Sequence, residues 1–195
     1  MHGLVNRSIQ MFLRGTYGNA VWLDIVRDAQ LGFDSFETML TYDDRLTDQV
    51  LAAASRRLNL PRGSILEDLG LFLVADPALE RLRRLLRFGG VTFVDFLYSL
   101  DDLPARGRLA LPDLDLPALH LAGTGHDSFS LTCLSPLQGV GHVAVGLLRA
   151  MADDYGALVV IDHAGPTEGG ERVSIRLLDH QFAAGRRFTL AGQVL

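Results

Sequence analysis

The sequence predicts an α+β domain, with helices filling the first half and an antiparallel sheet crossed by one helix in the second. Three observations predict it. Apolar residues recur at steps of three and four as far as Leu103, the period falls to two from Leu119, and helical spacing returns between Val140 and Met151. The chain has 195 residues, 48% hydrophobic and 21% charged, enough apolar content for one domain with a sizeable core.

Leu4, Val5, Ile9, Phe12 and Leu13 share one face of a first helix that Gly15 and Gly18 bring to an end. Trp22, Ile25, Val26 and Ala29 form the stripe of a second. After the loop LGFDSFETML, Thr47 is expected to cap a helix that buries Val50, Leu51, Ala54 and Leu58 and stops at Pro61. Ser64 with Glu67 reads as a capping box for the next helix. Asp76 followed by Pro77 opens another, carrying Leu79, Leu82, Leu85 and Leu86 and closed by Gly89 and Gly90. Its arginines, Arg81, Arg83, Arg84 and Arg87, read as a solvated face near the negative end of the helix dipole. Thr92 caps a helix with Phe93, Phe96, Leu97, Leu100 and Leu103 inward, expected to run to Pro104.

The alternation in LHLA and in Phe129, Leu131, Cys133 and Ser135 predicts a hairpin turning through Gly123 and Gly125. Val140, Val143, Leu147, Leu148 and Met151 then make a helix ending at Gly156. Two strands follow, LVVID and RVSIRLL, with HAGPTEGGE as the loop between them, and RRFTL is a candidate further strand. The division expected is residues 1–62 as a helical subdomain and 63–195 as helices plus sheet, within one domain.

A formal net charge of -5 gives no footprint for a phosphate backbone, so nucleic acid is not an expected partner. Cys133 is the lone cysteine and cannot form an internal disulfide. The start MHGLVNRS has no leader pattern, and no apolar run approaches the ~20 residues of a membrane span. The expected setting is the cytoplasm, without direct membrane insertion. Asp101 and Asp102 are adjacent on a helix and point about 100° apart, so they do not converge on one reacting atom. With no P-loop, Ser-His-Asp order or zinc signature either, no catalytic residue is assigned and the chain is not expected to be an enzyme.

MHGLVNRSIQ, YGNAVW, YDDRLTDQVLAAASRRLNL, GGVTFVDFLYSLDDL and LPDLDLPALHL together resemble the haem-nitric oxide/oxygen-binding (H-NOX, haem NO-binding) domains, including the sensor domain of soluble guanylate cyclase. The resemblance implies a helical subdomain over an antiparallel sheet with haem b between them. It also implies gas sensing and signalling to a cyclase or phosphodiesterase, a histidine kinase or a chemotaxis receptor. Val5 and Ile9 fall at apolar distal-side positions of that pocket, Pro117 at the proline that presses on the porphyrin, and His142 at a distal position that holds tyrosine in oxygen-binding members. Pro104 stands where the family has its iron-ligating histidine, and proline offers no available lone-pair nitrogen. Cys133, Ser135 and Leu137 align with the Tyr-x-Ser-x-Arg motif that grips the haem propionates, so Ser135 alone matches.

These departures favour a haem-free signalling module acting through a partner. The alternatives are a haem sensor with altered ligation, His142 being the candidate ligand, and an apolar small-ligand module. Each candidate also has an ordinary reading: His142 as a partly exposed helix residue, His120 as a strand residue, Cys133 as a small buried hydrophobe, Arg106 and Arg108 as loop charges. His2, His126, His163 and His180 show no metal-ligand spacing. A closed pocket would be filled by Phe93, Phe96 or Leu137.

Overall fold

The computed structural model describes residues 1–110 and 116–186. Helices α1 (Gly3–Tyr17), α2 (Asn19–Asp28), α3 (Asp44–Leu58), α4 (Arg62–Ala75), α5 (Glu80–Arg87), α6 (Phe93–Tyr98) and α7 (Leu103–Ala110) precede a hairpin of β1 (Ala118–Gly125) and β2 (Ser128–Leu134). Helix α8 (Val140–Tyr155) then crosses to β3 (Leu158–Thr167) and β4 (Gly170–Asp179). The four strands are antiparallel in the order β1-β2-β4-β3. The expected α+β class with a helix crossing the sheet is the observed one.

The buried residues form two cores. One gathers Ile9, Phe12, Leu13, Trp22, Ile25, Phe36, Val50 and Leu51 from α1 to α3 with Ile65, Leu66 and Leu69 of α4. The other lies under the sheet, where Phe129, Leu131, Cys133, Ile161, Val173 and Ile175 pack with Val145, Leu148 and Met151 of α8 and Phe93, Phe96 and Leu97 of α6. Helices α4 and α8 pack backbone to backbone, because Gly70 and Gly146 leave no side chains between them. A Cβ on Gly146 would overlap the Glu67 carbonyl, and one on Gly70 the Val143 carbonyl.

Several local expectations are corrected. Asp43, not Thr47, caps α3 by accepting from Arg45 N, while the fully buried Thr47 hydroxyl donates to Asn6 Oδ1 at 2.7 Å. Pro61 stands at the N-cap of α4, so Ser64 and Glu67 are already inside the helix and form no capping box. The α5 arginines are not all solvated. Arg83 is 4% exposed and binds buried Asp154 of α8 through Nε at 2.8 Å and Nη2 at 2.7 Å, and Arg87 lies 3.8 Å over the Tyr155 ring. Gly123 and Gly125 lie within β1, and the hairpin turns at His126 and Asp127, the latter at φ 55°. HAGPTEGGE is mostly strand, turning only at Glu168 and Gly169. The strand expected in RRFTL falls, apart from Arg186, outside the described residues.

Candidate functional site

Helix α6 begins at a capping box in which Thr92 and Asp95 satisfy each other's backbone N–H, as the sequence indicates for Thr92. It does not continue to Pro104. The Ser99 N–H is already shared among the carbonyls of Asp95, Phe96 and Leu97, and the chain turns through residues 99–102. Pro104 is buried in the first turn of α7, where its missing N–H has no intrahelical partner to lose. Around it, Arg106 Nη2 donates to Ser99 O at 2.9 Å, and Leu121 N donates to Asp101 Oδ1 at 2.9 Å, tying the turn to β1. Arg108 is exposed, and Pro117 is half-buried just before β1.

Cys133 is fully buried on the inward face of β2, opposite Leu119 of β1 and Glu171 of β4. Burial, joined by the Glu171 carboxylate, pushes its thiol up to about 12. The thiol is therefore a packed, unreactive group at neutral pH. Ser135 Oγ accepts from Leu137 N at 3.1 Å in a local turn, and Leu137 is half-buried.

His142 lies in the first turn of α8 within a polar cluster that spacing did not announce. Its Nδ1 is 2.9 Å from Glu67 Oε1, and its ring stacks on His163 of β3 with centroids 4.0 Å apart and planes 10° apart. Glu67 Oε2 also accepts from Arg149 Nη1 at 2.8 Å, and Arg149 Nη2 donates to Ile161 O at 2.7 Å. His163 Nε2 lies 3.0 Å from Glu171 Oε2. The Glu171 carboxylate accepts from Gly139 N at 2.5 Å and Gly141 N at 2.8 Å, so a sheet residue caps α8 in place of a local side chain. Burial raises the Glu171 pKa, but the bonds from Gly139, His163 and Gly141 outweigh it and hold the carboxyl below its usual range.

The sequence-assigned positions are not brought together: Pro104 lies in α7, Pro117 just before β1, and Ser135 and Leu137 in the turn after β2. Ile9, with Val5 packed against it, belongs to the helical core. Cys133 belongs to the core beneath the sheet, where Phe93 and Phe96 are also buried. His142 sits in the charged cluster, whose other members Glu67, Arg149, His163 and Glu171 are scattered along the sequence from α4 to β4. Among the described residues, no group of three or more His, Cys, Asp and Glu side chains is placed to hold a metal ion, and no helix is long and apolar enough to cross a membrane.

Residues 2–163 match the sequence profile of the haem-NO-binding family. Soluble guanylate cyclase 89Db of Drosophila melanogaster is 22% identical over 92% of the chain, and soluble guanylate cyclase gcy-31 of Caenorhabditis elegans 21% identical over 79%. The chain spans about a quarter of the length of these relatives, 27% and 22% respectively. Among solved structures, an Fe(II) H-NOX protein mutant from S. oneidensis superposes with a TM-score of 0.78 at 17% identity, covering 93% of this chain and 98% of that one. An H-NOX protein from S. oneidensis in the Fe(II)NO ligation state superposes at 0.76 and 17% identity, covering 92% and 100%. With the profile matching most of its length and its fold shared with these proteins, the chain belongs to the haem-NO-binding family and has the H-NOX fold.

Proposed function

We propose that this chain is a sensory or signalling domain that has kept the H-NOX fold but does not hold haem through histidine, and that it acts through a partner protein. The observation that carries this reading is Pro104, buried in the first turn of α7, which the sequence resemblance aligns with the family's iron-ligating histidine. Its nitrogen cannot coordinate iron, because the lone pair is delocalised into the peptide carbonyl and there is no N–H to lose.

The side chains at the aligned positions do not suit haem. Two propionates leaving water need charge-assisted and bidentate donors. Here Cys133 and Leu137 stand for the tyrosine and arginine, and the Glu171 carboxylate beside Cys133 would repel a propionate. Each lost hydrogen bond to a charged group forfeits roughly 1.5–3 kcal/mol, so losing two or three weakens affinity by about two to six decades before the iron bond is counted. His142 is no ready substitute, because it is held by Glu67 and by the stack on His163.

Titrating the purified protein with haemin and recording the Soret band tests the reading. No saturable band is expected, and His142→Ala should change nothing. The triple variant Pro104→His, Cys133→Tyr, Leu137→Arg is expected to gain binding, with a thermal melt alongside to show that it folds. Near-stoichiometric haem in protein purified from haem-replete cells would overturn the proposal.

A further inference from the structure

A cleft of about 250 Å³ opens between α1 and the end of α4, and none of the positions aligned with haem lines it. Its α1 wall follows from helical spacing: Arg7, Gln10, Met11 and Arg14 fall at steps of three and four and share one side of the helix. The half-buried Phe72 of α4 forms the facing wall, with Asp76 just beyond the end of that helix. Arg7 and Gln10 meet at one point, Ser35 Oγ, to which Arg7 Nη1 donates at 2.5 Å and Gln10 Nε2 at 3.4 Å. Gln10 is 1% exposed, and its amide is fixed because Oε1 accepts from Phe36 N at 2.9 Å. Its long contact with Ser35 uses one of two N–H groups, so a buried donor is left over. Arg7 keeps its Nε and Nη2 donors without an acceptor, and the exposed Arg14 guanidinium has no hydrogen bond or ion pair, among the described residues. Asp76 caps the short turn after α4, where its Oδ1 accepts from Ala78 N at 2.8 Å. Two guanidiniums against one carboxylate leave the cleft positive in a chain whose net charge is -5.

We propose that this cleft binds a small carboxylate with an aromatic body, its oxygens taken by Arg7 and Gln10 and its ring laid against Met11 and Phe72. The free Nε and Nη2 of Arg7 are the edge of a guanidinium that grips a carboxylate by two parallel hydrogen bonds. The spare N–H of Gln10 supplies a further donor already held in place, so little ordering cost is left to the ligand. The apolar wall lies further along α1. Gly15 sits 3.8 Å from the Phe72 ring by the position a Cβ would take, and five residues separate it from Gln10, a rise of about 7.5 Å. That span suits an arylalkanoate, whose ring and carboxylate are held apart by a short chain. The cleft falls just below the ~300–1,000 Å³ of pockets that take drug-sized molecules, which matches a ligand of about ten heavy atoms. Arg14 adds positive charge at the same wall and favours an anion over its neutral amide.

Titrating the full chain with 3-phenylpropionate, followed by amide NMR shifts, tests the site. Saturable shifts are expected in α1 and around Phe72 to Ala78, with a dissociation constant on the order of 1 mM or tighter. Acetate, which lacks the ring, and 3-phenylpropionamide, which lacks the charge, should each bind at least about tenfold more weakly. Arg7→Gln should weaken binding by a similar factor. Gly15→Leu should block it by filling the cleft, since its Cβ would meet Phe72 only at ordinary contact distance. Should Arg7→Gln not fold, Arg14→Gln, at an exposed position, must weaken binding in the same direction. No saturable shift, equal binding of the amide or of acetate, or binding indifferent to the substitutions would overturn the inference. The result is independent of haem, because the cleft and the aligned haem positions share no residue.

Discussion

Cys133 and Glu171 face each other across β2 and β4 on the inward side of the sheet, and the same Glu171 carboxylate caps α8 through Gly139 and Gly141. One acidic side chain therefore positions the crossing helix and adds to the burial that raises the Cys133 thiol pKa. It also meets His163, which stacks on His142, so the cluster links β3 and β4 to α4 through α8.

Removing the charge at Glu171 is expected to loosen this link. Glu171→Gln should cost about 1–3 kcal/mol at neutral pH, the usual loss for a partly buried charge-assisted bond. Because the folded-state pKa is depressed, the stabilisation is present above the unfolded carboxylate value and is lost as pH falls through the folded one. Urea unfolding of both proteins should show the gap shrinking in acid, and a pH-independent gap would contradict the capping role.

Cys133 makes the opposite prediction at high pH. Its folded thiol titrates at about 12 against 9.0 when unperturbed, so the unfolded chain releases a proton first. Its contribution to stability is full below pH 9 and falls above it by up to about 1.4 kcal/mol per pH unit. Cys133→Ala should flatten that slope. A thiol reagent at pH 8 should label the native protein only as fast as it unfolds.

Breaking the clasp between α5 and α8 should be among the most damaging single changes. Asp154 is 1% exposed and Arg83 4%, so Asp154→Ala leaves a buried guanidinium without its main counter-charge and should cost about 3–5 kcal/mol. Replacing the pair together, Arg83→Met with Asp154→Leu, should recover much of the loss. Thermal melts of the three proteins decide it, and equal melting temperatures for the single variant and wild type would refute a structural role.

Gly146→Ala tests the contact of α4 with α8. Helix propensity alone favours alanine by about 1 kcal/mol, but the added methyl would strike the Glu67 carbonyl, and overpacking of this kind costs about 1–3 kcal/mol. A net loss is expected in chemical denaturation. A net gain would mean that the two helices part freely.

The elements were legible because their signals are local. Three- and four-residue periodicity marked α1, α2 and α8, Thr92 announced the start of α6, and alternation marked β2, whose Phe129, Leu131 and Cys133 are all buried. Caps were less legible when two neighbouring residues could serve. Asp43 took the role expected of Thr47, whose hydroxyl found Asn6, distant in sequence, instead. Arg83 and Arg87 read as solvated, since helical spacing cannot reveal a carboxylate waiting on another helix 71 positions away in the case of Arg83.

By itself the sequence determined the α+β class and most of the run of helices and strands. Tertiary structure alone decided what individual positions became. It put Pro104 into a new helix, set Glu171 beneath α8, stacked His142 on His163 and closed α4 against α8 through glycine. The reason is physical: backbone preference and apolar period act over a few residues, whereas the partner of a buried charge is chosen by which elements the hydrophobic cores press together.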